Sequence, residues 1–189
     1  MVVQAKNDID VLLAKSFKEL VAKTPIEKIT IKQITDKAGV IRPTFYNHFQ
    51  DKYELLEWII YEELLRPIQM LIENNMFEEA LTLLFTNIEK DKEFYSQAVR
   101  LEGQNSFEKI AENGVRHIIL DLMEVSQVVK KVQYGWLTAE RIAEYYSKGM
   151  CSIVINWIKG NYPISARELA ATYAYLMHCT LEQMLTGNV

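Results

Sequence analysis

TIKQITDKAGVIRPTFYNHFQDKYELL, residues 30–56, reads as a helix, a glycine turn, a short second helix and the capped start of a third. Thr30 and Gln33 form a T-x-x-Q capping box, in which each side chain satisfies a backbone N–H at the open end of the helix, so a helix is expected to begin at Thr30. Ile31, Ile34 and Ala38 recur at helical spacing and give it one apolar face. Gly39 follows where a left-handed C-cap is wanted, a conformation glycine adopts without a Cβ clash. Pro43 falls in the first turn of the next helix, where a missing N–H costs nothing. Asp51 and Glu54 form a D-x-x-E capping box for the third helix. Two short helices joined by a glycine turn of roughly three or four residues are the signature of a helix-turn-helix.

The second short helix carries two kinds of face. Phe45 and Phe49 are four apart and anchor one side in a core. The other side carries Arg42, Thr44, Asn47 and His48, with Tyr46 beside them. Arg can bond guanine O6 and N7 as a fork, Asn can pair with adenine N6 and N7, and Thr offers a methyl to thymine or a hydroxyl to phosphate. Lys52 stands at the start of the third helix, one turn past Phe49, where a phosphate could also meet the helix N-terminus.

The stretch Ala38-Gly39-Val40, Arg42-Pro43-Thr44-Phe45-Tyr46-Asn47-His48-Phe49, then Lys52, Leu55 and Leu56, resembles the DNA-binding domain of TetR/AcrR-type transcriptional regulators. That resemblance implies an all-α chain with a three-helix DNA-binding domain in residues 1–50 and a helical effector-binding and dimerisation domain in 51–189. It implies base or phosphate contacts from Arg42, Pro43, Thr44, Tyr46, Asn47, His48 and Lys52, and Thr30 and Lys32 complete the expected DNA-binding set. It also implies a homodimer on an operator, with repression as the expected sign. One position departs from the pattern: a small capping residue is usual before the Arg-Pro pair, and this chain has Ile41. Isoleucine cannot cap, which costs about 1 kcal/mol.

Composition sets the bounds. The 189 residues fit one domain or two small ones, and at 49% hydrophobic they can bury a core. The net charge of −4 argues against indiscriminate coating of nucleic acid. Residues 1–53 nevertheless hold nine Lys/Arg against six Asp/Glu, a net of +3, so the basic end is the end with the motif. Cys151 and Cys179 lie in apolar helical context and read as buried thiols in a reducing cytoplasm. No signal peptide and no run long enough to span a membrane is read.

Outward from the motif, Ile9, Leu12, Leu13, Phe17, Leu20 and Val21 mark a preceding helix that Thr24-Pro25 ends. The helix from Asp51 is expected to reach Arg66-Pro67 and to stop or kink there. Helices are expected over 77–90, 91–101 and 106–125, then a loop over 126–137. Thr138 caps a helix to Lys159, and a Ser165–Glu168 box opens a last helix to Leu185. These last two helices are apolar over more than half their circumference and must bury two faces: either both lie deep in a monomer, or, as the family resemblance implies, one meets the body and the other a second copy. Ile155, Ala170, Ala174 and Leu181 are the expected dimer contacts.

No catalytic constellation is present: His48, His117 and His178 complete no metal motif, the cysteines are not in C-x-x-C spacing, and phosphate-binding glycine loops are missing. No metal, cofactor or enzymatic activity is therefore expected. The family's helical body implies an effector cavity, expected among Trp58, Tyr61, Tyr95, Arg100, Gln104, Phe107, Tyr146 and Met150. Phe94-Tyr95, Gly103-Gln104, Phe107, Tyr145-Tyr146, Gly149 and Asn156-Trp157-Ile158 are similar, at looser spacing, to the subgroup that includes the activator of the dihydroxyacetone kinase operon. In that activator the inducing partner is a protein, so the expected effector is either a small molecule in the cavity or a protein partner. A second reading is a helical protein–protein adaptor or co-regulator whose helix-turn-helix only packs. Such an adaptor has no need of Arg42, Asn47, His48 and Lys52 together.

Overall fold

The computed structural model describes residues 2–126 and 134–186, with side chains from residue 8 onward and, in the first segment, up to residue 124. Among the described residues every regular element is helical. Helix α1 (Val2–Val21) is followed by a 3-10 turn (Ile26–Lys28), α2 (Ile31–Ala38), α3 (Arg42–Tyr46) and α4 (Lys52–Ile60). Leu13, Phe17 and Val21 of α1 meet Ile34 and Ala38 of α2, Phe45 and Phe49, and Leu55, Leu56 and Ile59 of α4 in one buried cluster.

Local chemistry fixes this end as expected. The Thr30 hydroxyl accepts from the Gln33 N–H at 3.2 Å, and Gln33 Oε1 accepts from the Thr30 N–H at 2.8 Å. Gly39 ends α2 with φ of 69°, the left-handed conformation its lack of Cβ permits. The Asp51 carboxylate caps α4 through the Tyr53 and Glu54 N–H groups. The box differs in one detail: Glu54 takes the N–H of Gln50, one residue before the cap.

Beyond Ile60 the helix neither stops nor breaks at Pro67. It widens into a π turn (Tyr61–Leu65), where the Arg66 N–H reaches back to the Tyr61 carbonyl, and continues as α5 (Arg66–Glu73). Pro67 has no N–H for the Glu63 carbonyl four residues back. Asn87 of α6 (Phe77–Lys90) supplies the missing donor, its Nδ2 lying 3.2 Å from that oxygen. Of the stop or kink expected at Pro67, the stop is avoided by a wider turn and a borrowed hydrogen bond, and the helix is distorted just before the proline.

Helices α7 (Lys92–Ala98), α8 (Phe107–Ser126), α9 (Ala139–Lys159) and α10 (Ala166–His178) complete the body, with α9 packed along α8 and α10 along α6. Thr138 and Ser165 cap α9 and α10 as expected. The expected loop over 126–137 lies largely outside the described residues. The last helix is shorter than its apolar stripe suggests. Cys179 is extended, and a new T-x-x-Q box, Thr180 with Gln183, opens a separate α11 (Leu181–Thr186). Core packing runs without a gap from the N-terminal helices into the body. No helix among the described residues is long and apolar enough to cross a membrane.

Candidate nucleic-acid interface

Helix α3 is held from beneath. Phe45 is fully buried and Phe49 nearly so, and their rings lie 5.9 Å apart. With that side fixed, Arg42, Pro43, Tyr46 and Asn47 stand exposed on the opposite side, and Thr44 is half-buried. Tyr46 packs the edge of its ring against Phe45 at 5.6 Å while remaining 57% exposed. Ile41 occupies the N-cap in extended conformation with no side-chain cap bond, as isoleucine must. The Thr44 and Phe45 N–H groups both turn to its carbonyl.

Two of the expected contacts are engaged elsewhere. His48 is not on the open face: Nδ1 lies 2.6 Å from Asp10 of α1, and both side chains are largely buried. It ties the end of α3 to α1. Lys52 is held within the chain. Its Nζ donates to the carbonyls of Ile26, Glu27 and Ile29 at 2.7, 2.9 and 2.8 Å, so its three protons are all taken. Burial lowers its pKa despite the opposing charges of Glu27 and Asp51. In the absence of DNA it clasps the 3-10 turn to α4. Thr30 is exposed with its hydroxyl in the capping box, and Lys32 is exposed and paired with Asp36 at 3.1 Å on the surface of α2.

The π turn links this end to the body. Lys18 of α1 donates to Glu63 and to Asp91, each at 2.6 Å. Burial works against the charge, but the bonds and charges of Asp91 and Glu63 outweigh it and raise the Lys18 pKa. From α8, Gly114 lies against Leu65 so closely that a Cβ would collide with Leu65 Cδ1. Sequence spacing offers no sign of these pairs, whose members are far apart in the chain. The carbonyl left bare by Pro67 was the one local clue.

The expected effector residues do not converge. Phe107 and Met150 alone of that set line an apolar cavity of ≈ 60 Å³, together with Leu64, Phe85, Ile155 and Tyr173 among others. Tyr95 is fully buried, packed edge-on to Phe94 and Phe107, and its hydroxyl has no hydrogen-bond partner among the described residues. Trp58 and Tyr61 border an open surface groove instead, and Arg100, Gln104 and Tyr146 are exposed. Around Tyr95, edge-on rings fill the space that the aromatic content suggested was hollow.

The expected dimer contacts also divide. Ile155 and Ala170 are buried within their own subunit, Ile155 at the cavity and Ala170 at the floor of an open groove beside α6. Ala174 is half-buried and Leu181 is 71% exposed. Tyr145 and Tyr146 of α9, and Tyr175, Leu176 and Met177 of α10, are large apolar side chains in solvent.

An all-helical chain that presents a polar recognition helix from a buried aromatic anchor belongs to the class of helix-turn-helix DNA-binding proteins. Comparison with known proteins makes this specific. The profile of bacterial regulatory proteins of the tetR family matches residues 18–59, and that of the transcriptional regulator C-terminal region matches 75–179. The chain belongs to the TetR family of transcriptional regulators. It is 26% identical, over 179 residues, to the HTH-type dhaKLM operon transcriptional activator DhaS of Lactococcus lactis subsp. lactis (strain IL1403), covering 92% of this chain and 89% of that protein. A solved structure of the dihydroxyacetone kinase operon activator DhaS superposes with a TM-score of 0.60 at 26% identity, covering 89% of this chain and 93% of the other. The family and these relatives are regulators, not enzymes.

Proposed function

We propose that this regulator binds its operator as a homodimer through Arg42, Pro43, Thr44, Tyr46 and Asn47, and that it answers to a protein effector. The exposed face of α3 above buried Phe45 and Phe49 carries the DNA reading. It displays a guanidinium, a carboxamide and an apolar ring, the groups that the major groove can distinguish. The natural division is a reading unit up to about residue 50 and a controlling body after it, and the expected place of action is the cytoplasm. Dimerisation through the exposed aromatic and apolar faces of α9 to α11 would set two α3 helices one or more helical turns of DNA apart.

The protein effector is supported by the cavity. At ≈ 60 Å³ and without polar lining, it is far below the roughly 300–1,000 Å³ of small-molecule sites. The wider concavities are open grooves on the surface. The sign follows the relative that spans most of the chain, which is named an activator, in place of the repression expected from the wider family. The signal would pass through the π turn, where α1, α6 and α8 each hold one residue. Selection of duplexes from a random DNA pool by the purified protein tests DNA reading directly. Enrichment of a two-fold-related sequence, lost on Arg42→Ala and Asn47→Ala, is the expected result. Equal retention of all sequences would leave the adaptor reading.

A further inference from the structure

We propose that Ile41 is a specificity-determining residue that reads the C5-methyl group of a thymine at the N-terminal edge of the recognition helix. The inference rests on the DNA reading given above.

Ile41 is 68% exposed, in a chain that buries Ile26, Ile29, Ile34 and Ile59 almost completely within the same small bundle. Its backbone is fully used: the carbonyl accepts from the N–H groups of Thr44 and Phe45, and φ and ψ of −90° and 156° hold the residue extended at the N-cap. A serine here would fold back to bond an N–H of the first turn. Isoleucine has no such bond to make, so its side chain stands out beside Arg42 and Pro43, which are also exposed. In helix-turn-helix proteins the N-terminal residues of the recognition helix meet base edges. The thymine methyl is the apolar feature of the major groove, and it is matched by apolar side chains. The chain thus gives up a cap at this helix and gains an apolar group at the groove floor. An isolated exposed isoleucine is ordinary elsewhere on a surface. Here the next two residues, Arg42 and Pro43, are exposed as well.

The test uses the duplex selected by the full-length protein. Each thymine is replaced in turn by deoxyuridine, which removes the methyl and keeps the pairing. One thymine in each half-site, next to the base whose preference relaxes in Arg42→Ala, is expected to show weaker binding. The expected loss is about fourfold per half-site, the worth of one buried carbon. In Ile41→Ala, which empties only exposed space, the same replacement is expected to cost almost nothing. If no thymine shows the effect, or if the penalty persists in Ile41→Ala, the inference is overturned. Ile41→Ser supplies a control, because it restores a cap. If it strengthens all sequences alike and keeps the uridine penalty, Ile41 is merely a missing cap and the inference again fails. A pool that yields no enriched sequence overturns the DNA reading itself and this inference with it.

Discussion

Replacing Lys52 by Met separates a structural clasp from a phosphate contact. The substitution keeps most of the volume and removes three donors from the carbonyls of Ile26, Glu27 and Ile29. The Glu27 oxygen is exposed and can rehydrate. The Ile26 oxygen keeps the Ile29 N–H at 3.1 Å. The Ile29 oxygen loses the lysine proton in a part-buried setting. A hydrogen bond to a charged group is worth about 1.5–3 kcal/mol, and two part-buried ones are at issue. Burial of the ammonium, the cause of its lowered pKa, offsets part of that gain. A net loss of about 2 kcal/mol is expected, or about 4–8 °C in melting temperature for a chain of this size. Urea and thermal unfolding would measure it. Operator affinity is then measured against salt below the melting transition. A clasp leaves the slope of log K against log salt unchanged, whereas loss of one phosphate contact would lower it by about 0.9. A slope reduced by about one with unaltered stability would refute the assignment.

Four further outcomes are expected. Lys18→Met and Glu63→Gln should couple by about 1 kcal/mol in a double-mutant cycle read by urea unfolding, screened because Glu63 and Asp91 are each about a third exposed. Because the Lys18 pKa is raised, its contribution is full at neutral pH and fades only above the ordinary lysine range, so a loss of coupling near pH 8 would contradict the geometry. Tyr95→Phe should raise stability by about 1 kcal/mol by deleting an unsatisfied buried hydroxyl, and a lower melting temperature would reveal a partner for it. In the native protein at neutral pH a thiol reagent should label half-buried Cys179 and spare Cys151, which burial pushes up to about 12; rapid labelling of both would show that α9 opens. Leu181→Glu together with Tyr175→Glu should give monomers in sedimentation with weakened operator binding, and an unchanged dimer would move the interface elsewhere.

What was legible in the sequence was local. The Thr30–Gln33 box, Gly39, Pro43 and Asp51 act over three or four residues, and each turned out as its chemistry requires. Long-range pairs were not legible: His48 meets Asp10 and Lys52 meets Ile26 because helices cross there, and nothing in the spacing encodes the crossing. Thr180–Gln183 was legible but was overridden by the apolar stripe that runs through it. Aromatic content misled for a physical reason. Tyr95, expected to line a pocket, is instead fully buried edge-on between Phe94 and Phe107.

The π turn has a consequence for how such a protein diversifies. An i→i−5 bond encloses one residue more than the α-helical ladder does, as between Arg66 and Tyr61. Every side chain before it is therefore out of phase with those after it by one residue, about 100° around the axis. A deletion of a single codon between Ile60 and Arg66 would let this turn close as ordinary α-helix, with the faces on either side keeping their headings. A change of one residue in length can thus be absorbed at this turn, where in an unbroken helix it would swing one end against the other by about 100°.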